Sequence, residues 1–132
     1  MPTWRSPFDE SMGTRTVVAE PDRVVAELSV TPQHHQPGGT VHGGVFATLA
    51  ELTASVGANV WLDGSGVAVG VSNHTDFLRA VVDGQLSAEA TPLQRGRRLQ
   101  LWEVRITDGD GALVAHGKVR LANLEATPGR QG

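Results

Sequence analysis

The stretch Gln36-Pro37-Gly38-Gly39-Thr40-Val41-His42-Gly43-Gly44 is a glycine-rich loop that runs straight into an apolar segment. Where such a loop starts a helix, the first amides lack partners and carry partial positive charge. They bind an anion, or polarise a carbonyl whose oxygen turns negative in a transition state. Gly43 and Gly44 have no side chains, so a substrate can come close to their amides. Glu51 lies about two turns into the segment and is its only charge before Asp63. A carboxylate on an apolar helix face needs a partner, water or a task. Ser55 follows four residues later on the same face, where its hydroxyl can hold a water against Glu51. The residue types leave two readings of Glu51 open. It is a catalytic carboxylate, or it reaches solvent or an arginine. The glycines by themselves are also what any tight loop uses.

Other residues invite chemistry with less support. His34 and His35 adjoin the loop, but neighbouring histidines chelate poorly and no third ligand stands at a recognisable spacing. No metal site is expected. Ser55 lacks the Gly-x-Ser-x-Gly surroundings of a serine nucleophile. His116 alternates onto the polar side of a late strand and is expected in solvent. Trp4, Trp61 and Trp102 are expected to cover core or interface.

The elements that must hold these residues follow from periodicity. Val45, Leu49, Leu52, Val56 and Val60 recur at helical spacing, and Phe46, Ala50 and Thr53 widen the stripe. The pattern predicts a helix over 44–62, mostly enclosed, ending at Asp63-Gly64-Ser65-Gly66. Before it, Val24, Ala26, Leu28 and Val30 alternate as a half-buried strand, paired with 14–20 across Pro21-Asp22. After it, Val67/Val69/Val71, Leu86/Ala88/Ala90, Trp102/Val104/Ile106 and Leu113 to Leu121 alternate. Turns at 82–84, 94–96 and 108–111 separate the last of these runs. A short helix is allowed around Phe8 to Met12. The expected fold is α+β, with one long helix wrapped by five or six antiparallel strands.

The chain has 132 residues, which fits a single domain over 1–132, with 1–13 and 125–132 peripheral. Absence of cysteine excludes disulfides, Cys-ligated metals and a thiol nucleophile. A net charge of -3 argues against a nucleic-acid partner, because phosphate binding needs a basic surface. No apolar run approaches the roughly 20 residues of a membrane span. Met1 to Glu10 has no hydrophobic stretch of the secretory kind, so a cytoplasmic location is the default expectation.

Two blocks carry a family resemblance. His42-Gly43-Gly44, with Glu51 eight positions after Gly43 and Gln36 fifteen before Glu51, resembles the motif of the PaaI-like hotdog-fold thioesterases. Ala68-Val69-Gly70-Val71-Ser72-Asn73-His74-Thr75-Asp76-Phe77-Leu78-Arg79 is similar to the matching strand of the Arthrobacter-type 4-hydroxybenzoyl-CoA thioesterases. The resemblance runs from about Val24 to Leu121. It implies a hotdog fold, sheets joined edge to edge in dimers, dimers paired into tetramers, and active sites between subunits.

By position, the resemblance makes Glu51 the catalytic carboxylate and the Gly43 amide the polarising dipole. Gln36 and His42 would position the carbonyl and the leaving sulfur, and Ser55 would sit near the attacking water. Gly44, Asn73, His74 and Arg79 fall among substrate-binding positions. Gly96, Arg97 and Arg98 fall at the nucleotide turn, where the family has small hydroxyl residues. The two arginines depart from that pattern, and ordinary solvated turn arginines are the competing reading. The implied activity is hydrolysis of an aromatic or medium-size acyl-CoA. No metal or cofactor is implied, coenzyme A being part of the substrate. A 1,4-dihydroxy-2-naphthoyl-CoA or aryl carrier-protein thioester fits the same residues. A non-catalytic acyl-CoA-binding protein is disfavoured by Glu51, and a hotdog dehydratase by its different His or His/Asp arrangement.

Overall fold

A computed structural model describes residues 6–126. Ser6 and Asp9 cap each other's backbone amides and start a short helix, α1 (Pro7–Met12), which Gly13 ends in the left-handed region. Strands β1 (Arg15–Glu20) and β2 (Arg23–Ser29) form a hairpin across Pro21-Asp22. A single 3-10 turn (Pro32–His34) leads through the glycine loop into α2 (Gly43–Leu62). Then come β3 (Gly66–Phe77), β4 (Gln85–Arg95), β5 (Leu99–Thr107) and β6 (Leu113–Glu125). Residues 1–5 and 127–132, with Trp4 and most of the tail expected to fray, lie outside the described residues. Glu125, assigned to that tail by sequence, ends β6 instead.

The six strands form one antiparallel sheet in the order β1-β2-β4-β5-β6-β3. Helix α2 lies across one face and touches every strand. Its Leu49, Ala50, Ala54 and Ala58 are fully buried against Leu28, Leu86, Trp102, Val104, Val119 and Leu121 of the sheet. Burying each leucine or valine of this set contributes about 1.5–3 kcal/mol, and the small alanines let the helix lie close to the sheet. The alternations of β2, β4, β5 and β6 are legible because one sheet face meets the helix and the other does not.

Two details differ from the pattern. The helix begins at Gly43 rather than Gly44, because the His42 Nδ1 accepts the Gly44 amide and makes His42 the N-cap. In β3 the valines at 67, 69 and 71 are exposed, and Ala68 is the buried residue. Pairing with β6 skips Val71 between Gly70 and Ser72. This bulge reverses the alternation. Ala68 and Gly70 face the helix before it; Asn73 and Thr75 do so after it. β3 is also an edge strand, so its valines flank an unpaired backbone.

Candidate active site

The loop before α2 is tied down at both ends. The Gln36 amide N–H donates to the Thr40 carbonyl, and Val41 N–H donates to Val81 O, each at 2.8 Å. The Gln36 side chain works inside this loop: its Nε2 donates to Thr40 Oγ1 at 2.7 Å, and its Oε1 accepts from Gly38 N–H at 2.6 Å. Gln36 therefore shapes the loop and keeps one amide hydrogen for anything beyond it. Gly39 takes a φ of 86°, which a side chain would strain.

At the helix start the donors divide. Gly44 N–H is taken by His42 Nδ1 at 2.8 Å, and Val45 N–H reaches His42 O at 2.9 Å. Gly43 N–H has no hydrogen-bond partner among the described residues. Because Nδ1 accepts, a neutral His42 ring carries its proton on Nε2, a donor on an exposed side chain. The Phe77 ring lies so close over Gly43 that a Cβ there would run into it. Phe77 in turn rests against Phe46, with ring centroids 5.9 Å apart. Arg79 lines the same cleft of about 210 Å³ as Gly43 and Phe77.

Glu51 lines a second cleft of about 370 Å³ with Thr48, Leu52, Ser55, Asn73 and Phe8. The sequence placed this carboxylate on a buried helix face. It is exposed, because the helix turns that side toward the edge of the sheet beyond β3. Asn73 Nδ2 donates to Ala47 O at 2.9 Å and makes a longer contact, 3.4 Å, with Glu51 Oε1. Gly70 lies under the other oxygen: a Cβ there would be 3.2 Å from Oε2. Glu51, Ser55 and Asn73 are thus brought together. Gly43, His42 and Gln36 stand apart from them in the same chain. Glu51 lies eight helical steps beyond Gly43, about 12 Å along the helix axis.

The remaining site residues scatter. His74 follows Asn73 and so points to the opposite face; its side chain is 84% exposed, with Asp76 at 3.6 Å. It does not reach either cleft. Gly96, Arg97 and Arg98 border a wide cleft of about 780 Å³ with Trp61, near the far end of α2. Their turn is anchored from below. Asn123 Nδ2 donates to Gly96 O and Arg97 O at 3.0 and 3.1 Å. Asn123 Oδ1 accepts from Gln100, which accepts from the buried Trp102 ring.

The tempting histidines have other employment. His34 Nδ1 accepts from Thr31 N–H, and its Nε2 donates to Met12 O. His35 Nε2 donates to Val82 O at 2.6 Å. His116, expected in solvent, is half-buried with Nε2 2.7 Å from Glu103 Oε2; the β5–β6 register sets His116 opposite Arg105 and Glu103 opposite Lys118, so the two meet diagonally across the strands. Sequence reasoning missed Phe8 as a cleft wall and Thr75 beside Asn73. The Ser6/Asp9 capping box signals α1, but nothing in the sequence signals where α1 packs.

The family described as the thioesterase superfamily matches residues 38–115 of the chain. The Rv1847 protein of Mycobacterium tuberculosis is 46% identical over 125 residues, covering 92% of this chain and 89% of that one. Its solved structure matches with a TM-score of 0.90 at 47% identity, over 93% of this chain and 100% of the other. The 1,4-dihydroxy-2-naphthoyl-CoA hydrolase of Listeria monocytogenes is 33% identical over 87% of this chain and 94% of its own length. The structure of thioesterase HI1161 of Haemophilus influenzae matches at 27% identity with a TM-score of 0.86, over 92% and 85% of the two chains.

Proposed function

The chain belongs to the thioesterase superfamily and is a thioester hydrolase; on that premise we propose that it hydrolyses an aromatic or medium-size acyl-CoA with Glu51 as the catalytic carboxylate. The observation that carries this reading is the Glu51 cleft itself. A carboxylate stands there beside a serine hydroxyl, with Phe8 and Leu52 supplying apolar wall for an acyl group. The name of the Listeria monocytogenes relative adds an aromatic acyl-CoA to the substrates worth testing first.

Thioester hydrolysis needs a dipole on the carbonyl oxygen and a base or nucleophile at the carbonyl carbon. The unpartnered Gly43 amide supplies the dipole, with the His42 Nε2–H beside it. Glu51 either takes a proton from water as the water oxygen attacks, or attacks directly to give a mixed anhydride that water then opens. In both routes the C–S bond breaks and the sulfur leaves as a thiolate, so no strong acid is needed. Ser55 holds the water. The reaction uses no metal and no cofactor beyond the coenzyme A of the substrate. Arg79, Arg97 and Arg98 offer cations to the phosphates.

A carbonyl touching both the amide and the carboxylate spans only about 7 Å, counting one hydrogen bond, one C=O bond and one attack distance. The roughly 12 Å of helix axis between Gly43 and Glu51 favours a site completed by a second copy of the chain. The exposed Val67, Val69 and Val71 on the unpaired edge of β3 supply the surface for that copy. Pairing of such dimers into tetramers rests on the family resemblance.

Thiol release from a panel of CoA esters, on wild type and Glu51→Ala side by side, tests the reading. The panel holds 4-hydroxybenzoyl, phenylacetyl, dihydroxynaphthoyl and straight-chain acyl groups. Release that vanishes in the variant is expected. Release that persists in the variant removes Glu51 from the chemistry. Mixing Glu51→Ala with His42→Ala tests the shared site: random exchange of subunits should return about a quarter of wild-type turnover if each site draws on two chains. No return would confine the site to one chain.

A further inference from the structure

We propose that Asn73 and Thr75 of β3 are positioning residues for the Glu51 carboxylate, acting as a relay in which Thr75 orients the Asn73 amide and Asn73 holds Glu51. The proposal rests on the reading of Glu51 as the reacting carboxylate.

The relay is built from the strand outward. The bulge at Val71 turns Asn73 and Thr75 toward α2. Thr75 Oγ1 donates to Asn73 Oδ1 at 2.7 Å. That bond leaves the Asn73 nitrogen pointing at the helix, and the Ala47 carbonyl fixes this choice, because a carbonyl accepts only from an N–H. One hydrogen goes to Ala47 O at 2.9 Å, and Nδ2 reaches Glu51 Oε1 at 3.4 Å.

The bond to Ala47 is not needed by the helix. A carbonyl at this position already accepts the amide of the residue four places on, which is Glu51. What the extra bond does is hold the Asn73 amide level with the Glu51 side chain. Catalytic contacts without substrate are often long and shorten when it binds, so 3.4 Å suits a holding contact.

Two glycines make room for the relay. A Cβ on Gly117 of β6 would lie 2.7 Å from Thr75 Oγ1 and 3.1 Å from Ala50 Cβ, so a side chain there would push Thr75 off Asn73. Gly70 leaves room for the second carboxylate oxygen, since a Cβ there would stand 3.2 Å from Oε2. Glu51 therefore has a donor at one oxygen and a glycine backbone beside the other, and it lines the cleft.

Thr75→Val and Thr75→Ser separate positioning from plain structure, because both keep a small strand residue and only one keeps the hydroxyl. With the best ester of the panel, Thr75→Val should lower kcat about tenfold and leave KM within about twofold. Thr75→Ser should recover at least half of the wild-type kcat. Asn73→Asp, which keeps the shape but removes the donors and adds like charge beside Glu51, should lower kcat about a hundredfold. Equal kcat in the Val and Ser variants would overturn the relay, as would a loss that tracks thermal stability alone.

A readout independent of turnover keeps the two proposals apart. The Asn73 side-chain NH2 resonances, assigned by NMR, should move in both Glu51→Ala and Thr75→Val. If they stay in place, the relay is wrong even in an active enzyme. If they move but wild type cleaves no thioester, the contact stands and the thioesterase reading of the site fails.

Discussion

Two side-chain amide networks lie against α2, and they end on different groups. Near the helix C-terminus, Gln100 is fully buried; it accepts from Trp102 Nε1–H and donates to Asn123 Oδ1, both at 2.8 Å. Asn123 passes the network on to the carbonyls of the 96–98 turn. Every buried side-chain polar atom among the described residues has a partner. Near the middle of the helix, Asn73 is only half-buried, accepts from Thr75, and reaches past a backbone carbonyl to a carboxylate in an open cleft. The chemistry of the two is nearly the same. A network closed on backbone carbonyls stiffens the fold. One that ends on an exposed charged group leaves that group held yet free to react. Burial and closure are therefore what separate support from site in this molecule.

The sharpest way to break that contrast is to remove the open end. Glu51→Ala should lower turnover about a thousandfold or more while moving stability by no more than about 0.5 kcal/mol, the usual range for an exposed position. Thiol release and thermal unfolding on the same preparation check both halves. Next in size is the closed end. Gln100→Leu fills the space but strands the Trp102 N–H and one side of Asn123, which costs about 1–3 kcal/mol. Melting should fall by roughly 5–10 °C. Turnover well below that melting temperature should stay within about twofold. A Gln100→Leu protein that melts normally and has lost kcat would reverse the assignment of the two networks.

How much of this was legible in the sequence follows the same division. The long helix announced itself through Val45, Leu49, Leu52 and Val56, and its stop through Asp63 and Gly64. The strands β4 and β5 announced themselves because their two faces meet such different surroundings. Glu51 and Ser55 were legible as one site, since spacing on a helix fixes which residues share a face. The place of Asn73 beside them was not. It depends on a bulge at Val71 that has no local sequence signature, and on contact across 22 residues of chain. The outward facing of Val67, Val69 and Val71 was not legible either, because alternation gives a strand two faces without saying which one meets the helix. Phe8 was unreadable as a cleft wall because a six-residue helix with no buried residue says nothing of where it packs.

The smallest expected effect tests what the closed network supports. Arg97 and Arg98 are exposed and border the wide cleft by Trp61, while the carbonyls of their turn are fixed by Asn123. If that fixed turn presents cations to coenzyme A phosphates, Arg97→Ala with Arg98→Ala should raise KM for a CoA ester about three- to tenfold and leave kcat unchanged. Exposed charges are screened over about 8 Å at physiological salt. The KM difference between variant and wild type should therefore shrink as salt rises. A short-thiol ester that carries the same acyl group but no phosphates should show no difference at any salt. Equal KM changes on both esters would instead assign the arginines to the packing of the turn, and would place the phosphate contacts nearer Arg79, beside the Gly43 amide.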